Sequence, residues 1–111
     1  MTLTVKDLLE TKKFNLENEG VNLENPIEDV YIGDLLSWVM SHANKKCAWI
    51  TVQTHMNIVA VAVLLEMSCI ILPEDLKPDE NTAKKALEED IPIFSTSLNA
   101  YEIACLFKDM M

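Results

Sequence analysis

The chain has no arginine and only two glycines. Without a guanidinium there is no bidentate clamp for a phosphate. Two glycines, Gly20 and Gly33, build neither a G-x-x-x-x-G-K-[ST] loop nor a G-x-G-x-x-G turn, so a P-loop kinase or ATPase and a Rossmann dinucleotide site are excluded. No G-x-S-x-G elbow and no H-E-x-x-H helix occurs. The cations are lysines, and Lys12-Lys13, Lys45-Lys46 and Lys84-Lys85 are scattered among acids in a chain of net charge −9. Nucleic acid and anionic membrane surfaces both call for clustered positive charge, so neither is expected as a partner. The longest apolar run, Ile58 to Leu65, falls well short of the ~20 residues that span a bilayer. No basic-then-apolar segment opens the chain, and a cytoplasmic location is expected. The three cysteines, Cys47, Cys69 and Cys105, form no C-x-x-C pair and each lies in an apolar segment. They read as buried core thiols in a reducing compartment, with no metal or cofactor expected.

What is present is a globular composition, half hydrophobic, in 111 residues, which suits one domain over residues 1–111. Short apolar runs alternate with helical patterns. Strands are expected at Asp29–Gly33, Cys47–Val52, Ser68–Leu72 and Ile91–Ser95. Helices follow at Asp34–Ala43, about His55–Glu66, Pro78–Glu89 and Leu98–Lys108. Strands joined by helices run parallel through right-handed crossovers, and the runs AWITV and SCIIL have the continuous apolar character of strands covered on both faces. The expected fold class is α/β, with a mostly parallel sheet. Met56–Leu65 is apolar on nearly every side, so this helix is either central or covered by a second subunit. The first 25 or so residues differ: Thr4 suits the cap of a helix over Val5–Lys13, and Phe14–Glu24 suits an edge strand or hairpin turning at Gly20.

In an open α/β sheet, ligands bind beyond the carboxyl ends of the strands, where helix N-termini offer free amides. The tract Thr51-Val-Gln-Thr-His-Met-Asn57 occupies such a point. Asp34 follows the first parallel strand and Ser95-Thr-Ser97 the last. A site lined by Asp34, Gln53, Thr54, His55, Asn57, Ser95 and Thr96 is therefore expected. Asp34, Thr54 and Ser97 equally suit helix capping. No carboxylate or cysteine neighbours His55 in sequence, so no catalytic set is visible around it. His42, at a helix end, suits the negative pole of the dipole.

The tracts Tyr31–Met40 and Ala48–Ala62, with Pro78-Asp-Glu-Asn and Ile91-Pro-Ile-Phe-Ser-Thr-Ser, resemble the DRTGG-domain family, in particular its small stand-alone members. The resemblance covers nearly the whole chain. It implies a three-layer α/β/α fold like the N-terminal domains of HPr kinase/phosphorylase and MurF-type ligases. It also implies a regulatory role, since such domains accompany CBS pairs in regulated pyrophosphatases. One departure concerns the string that names the family: the stretch taken to correspond reads Glu24-Asn-Pro-Ile-Glu-Asp-Val30, with neither the Arg nor the Gly pair. The expected function is a non-catalytic domain, a homodimer, sensing a small anionic metabolite or nucleotide at the strand ends. The alternatives are a protein-interaction subunit of a redox-enzyme complex with no ligand, and a small enzyme with His55 as acid/base.

Overall fold

A computed structural model describes residues 2–111. The elements are α1 (Val5–Glu10), β1 (Asn15–Leu16), β2 (Asp29–Ile32), α2 (Leu36–His42), β3 (Cys47–Ile50), α3 (Asn57–Leu64), β4 (Cys69–Leu72), α4 (Glu80–Glu88), β5 (Ile93–Ser95) and α5 (Ala100–Met110). The sheet runs β1-β5-β4-β3-β2, with β2 to β5 parallel in chain order and β1 antiparallel on the edge beside β5.

Alternation along the strands sorts the core into two layers, because successive side chains point to opposite faces. Cys47, Trp49, Ile70, Leu72 and Ile93 face one way and meet α2, α3 and α4 through Val39, Ile58, Val59, Ala62 and Ala86. Ala48, Ile50, Cys69, Ile71 and Phe94 face the other way and meet α1 and α5 through Val5, Leu8, Ile103 and Phe107. The fold is thus the three-layer α/β/α arrangement, with a sheet buried on both sides. Trp49 is fully buried, and its Nε1 donates to the carbonyl of Gly33 at 2.9 Å, so the bulkiest core side chain also ties β3 to the end of β2. A Cβ at Gly33 would stand 3.1 Å from the Tyr31 ring and 3.3 Å from Val39, so those side chains would have to give by a few tenths of an ångström to admit one.

Helices α2 to α5 begin about two residues later than the sequence pattern suggests. Asp34 does not cap α2, whose N-cap is Leu35, because its carboxylate is already engaged with Thr51 and Val52, just beyond β3. Thr54 does not cap α3, whose N-cap is Met56. Pro78 precedes the N-cap of α4, Asp79, instead of opening the helix. Ser97 yields the cap of α5 to Asn99, which forms a reciprocal capping box with Glu102. Thr4 does cap α1, in a capping box with Asp7. Cys47 and Cys69 are buried as expected, and burial raises both thiols, Cys47 to about 11 with the charge of Asp29 adding to it. Cys105 is exposed on the outer side of α5, a correction to the expectation of three buried thiols.

The edge strand at Phe14–Glu24 is real but short. Beyond its two residues the side chain of Asn18 takes over the pairing: Nδ2 donates to the carbonyl of Ile91 at 2.7 Å, and Oδ1 accepts from the amide of Ile93 at 2.9 Å. Gly20 turns the chain with φ +108°. Elsewhere the tight turns are made without glycine: Lys12, Lys46, Glu66, Glu74, Asp75 and Asp90 all hold positive φ, between 53° and 62°. Helix α3 is partly covered. Ile58, Val59, Val61 and Ala62 are buried, whereas Met56, Val63 and Leu64 are 51%, 42% and 64% exposed. Among the described residues no helix is long and apolar enough to cross a membrane.

Candidate functional site

The β3–α3 loop, Thr51 to Met56, is held from both sides by residues that sequence order does not place near it. On the β2 side, one carboxylate oxygen of Asp34 accepts from the hydroxyl of Thr51 and from the amide of Val52, both at 2.9 Å. Gln53 reaches back with Nε2 to the carbonyl of Asp34 at 2.9 Å, and its amide donates to the Thr51 hydroxyl at 3.2 Å. On the α4 side, the carbonyl of Thr54 accepts from the hydroxyl of buried Thr82 at 2.8 Å and from the amide of Asp79 at 3.2 Å. His55 completes that side, with Nδ1 2.9 Å from the carboxylate of Asp79.

This clamped loop remains open to solvent. His55, Met56 and Asn57 are exposed, and Gln53 and Thr54 are half-buried. Among the described residues the backbone amides of Thr54, His55, Met56 and Asn57 find no acceptor in the chain. They lie at the positive end of α3, where unsatisfied N–H groups favour an anion or a carbonyl oxygen. Beside the loop an open groove of about 640 Å³ runs between α3 and α4, walled by Met56, Ala60, Val63 and Leu64 and rimmed by Lys85 and Glu89.

Ser95 and Thr96 do not join Asp34, Gln53, Thr54, His55 and Asn57. Both are buried, and their hydroxyls are spent inside the fold. Ser95 donates to Glu17 at 2.6 Å and accepts from Lys77 at 3.1 Å, while Thr96 donates to the carbonyl of Lys13 at 2.7 Å. The topology explains the closure. Connections from β2, β3 and β4 all lead to helices on one face, whereas β5 leads to α5 on the other. A crevice opens where neighbouring connections diverge in this way, here between the ends of β4 and β5. The chain fills it: Glu74 and Asp75 donate their amides to the carbonyls of Leu98 and Thr96 at 2.9 and 2.8 Å, and the N-terminal segment brings Glu17 over the top.

Asp79 and Thr82 are the site residues that sequence reasoning missed. They come from the next strand–helix unit, and their only signal was a helix start one unit further along the same sheet edge. His55 and Asp79 resemble part of a catalytic set. Yet among the described residues no Ser, Cys or Tyr hydrogen-bonds His55, and no group of three or more His, Cys, Asp or Glu gathers as a metal site. His42 stacks on Trp38 with ring centroids 3.9 Å apart and lies outside this loop.

The family model of the DRTGG domain matches residues 15–110. A comparison with curated protein sequences finds no match. Among solved structures, the chain is similar to the CBS and DRTGG domains of the regulatory region of the Clostridium perfringens pyrophosphatase, crystallised with its activator, diadenosine tetraphosphate. The TM-score is 0.72 at 16% identity, over 93% of this chain and 45% of that one. At that identity the likeness is one of fold, and this chain spans less than half of the longer protein.

Proposed function

This chain belongs to the DRTGG-domain family, and on that footing we propose that it is a non-catalytic regulatory domain that senses a small anionic ligand, a nucleotide, at the β3–α3 loop. The observation that carries the reading is the state of that loop: fixed from both sides by Asp34, Asp79 and Thr82, yet presenting unpaired amides and exposed polar side chains. Preorganisation of this kind lowers the cost of ordering on binding. Gln53, Thr54, His55 and Asn57 supply the contacts, and Asp34 holds the loop without facing the ligand. The neighbouring fold comes from a regulatory region bound to diadenosine tetraphosphate, which makes adenine nucleotides the first ligands to try.

The net charge of −9 repels anions at long range, so affinity is modest and improves as salt screens the repulsion. The experiment is a melting screen with adenine and guanine nucleotides, including diadenosine tetraphosphate, on the wild type and on His55→Ala/Asn57→Ala. At about 100 times its dissociation constant a ligand stabilises the fold by about 2.7 kcal/mol, a rise of several degrees in Tm. No shift with any compound, or an equal shift in the double variant, removes the site and leaves the ligand-free interaction module ahead.

The exposed apolar side of α3 favours a second element of the reading, a cytoplasmic homodimer that covers Met56, Val63 and Leu64. No charged side chain lies on α3 between Asn57 and Leu64, so two such helices pack without burying charge. Light scattering at high micromolar concentration tests it; a monomer mass there rules it out.

A further inference from the structure

We propose that His55 and Asp79 together read a neutral hydrogen-bond donor on the ligand, a sugar hydroxyl or an exocyclic amine, with Asp79 as the positioning residue. The inference rests on the ligand-sensing reading above and specifies which part of a nucleotide the loop selects.

The geometry assigns the roles. An ionised carboxylate only accepts hydrogen bonds, so with Asp79 2.9 Å from Nδ1 the imidazole proton belongs on Nδ1. In the neutral ring Nε2 is then a bare acceptor. Nε2 has no partner in the chain among the described residues, and the His55 side chain is 72% exposed. The ring is also fixed in direction. Asp79 donates its own amide to the carbonyl of Thr54, and Thr82 donates to the same carbonyl, so the residue before His55 and the start of α4 move as one piece.

A phosphate oxygen brought to Nε2 meets a lone pair, with the charge of Asp79 behind it. A hydroxyl or amine meets a free acceptor whose tautomer is set by that same carboxylate. The loop therefore divides a nucleotide: amides of residues 54–57 for the anionic end, His55 for the nucleoside. Sequence reading alone, which saw the histidine without its aspartate, counted His55 among the groups for an anion.

Two measurements test this on the full chain. Long-range nitrogen–proton NMR of the imidazole, at a pH where His55 is neutral, is expected to show the Nδ1–H tautomer in the wild type. In Asp79→Ala a mixture of tautomers is expected, with the fold verified by an unchanged amide spectrum away from the loop. Calorimetry with adenosine, inosine, 2′,3′-dideoxyadenosine and tripolyphosphate then separates the ligand groups. Adenosine is expected to bind, and to weaken about tenfold in both His55→Ala and Asp79→Ala, as for the loss of one good hydrogen bond. Loss with inosine identifies the amine as the donor; loss with the dideoxy compound identifies the sugar hydroxyls. An Nε2–H tautomer in the wild type overturns the assignment. So does tripolyphosphate binding without adenosine binding, although the sensing reading survives that result. Silence from all four compounds, and from the nucleotides of the melting screen, overturns both.

Discussion

The loops after β3 and after β5 leave the same edge of the sheet with similar polar residues, yet one is sealed and the other open. Ser95 and Thr96 are buried and bonded to Glu17, Lys77 and the carbonyl of Lys13. His55 and Asn57 stand in solvent above amides with no acceptor. The difference lies in what covers each loop. The N-terminal segment, which stands outside the strand–helix alternation, pairs with β5 and stops there. Residue type at a strand end therefore does not decide its role; the position of the added edge does.

The largest test of the comparison is to loosen the edge that carries the seal. Asn18→Ala leaves the carbonyl of Ile91 and the amide of Ile93 without partners, both in a buried setting. Each unsatisfied group costs about 1–3 kcal/mol, so a loss of about 2–4 kcal/mol is expected in chemical denaturation. Hydrogen exchange is expected to quicken in β5 and the Ser95–Leu98 turn before β3. Equal acceleration at both loops would erase the distinction between them.

A smaller effect is expected from Asp34→Ala. It removes two hydrogen bonds at a more exposed position and is expected to cost about 1–2 kcal/mol. The telling readout is local: faster exchange at Val52 and weaker ligand binding, with β5 unchanged. The smallest effect belongs to His55→Ala/Asn57→Ala. These side chains are exposed, and the His55–Asp79 contact is a surface pair, so stability is expected to change by less than about 1 kcal/mol. A larger loss would make the open loop a structural joint instead of a binding surface.

The sheet was readable because a buried parallel strand is an uninterrupted apolar run, and Ala48–Ile50 and Cys69–Leu72 are such runs. The intervening helices then required the strands to run parallel. Helix starts were less legible: Asp34 and Ser97 have capping chemistry, but a partner in a neighbouring loop or a better cap two residues on takes precedence. Half of the clamp on the β3–α3 loop was invisible for a different reason. Asp79 lies 24 residues beyond His55, and only the sheet order brings them together. Ser95 and Thr96 looked available because nothing local announces that Glu17 and Lys13 fold over them.

The charged residues that turn the chain with positive φ have a consequence for engineering. A side chain in that conformation costs about 1–2 kcal/mol, and glycine removes the strain at the expense of a looser unfolded chain. Lys12→Gly and Glu66→Gly are each expected to return about 0.5–1 kcal/mol, since Lys12 is exposed and Glu66 has only an exposed ion pair with Lys45. A domain that leaves this reserve undrawn sits nearer its unfolding threshold. The fixed increment from a bound ligand is then a larger fraction of its total stability, so the fraction of molecules folded responds more steeply to ligand concentration than in a hardened version of the same chain.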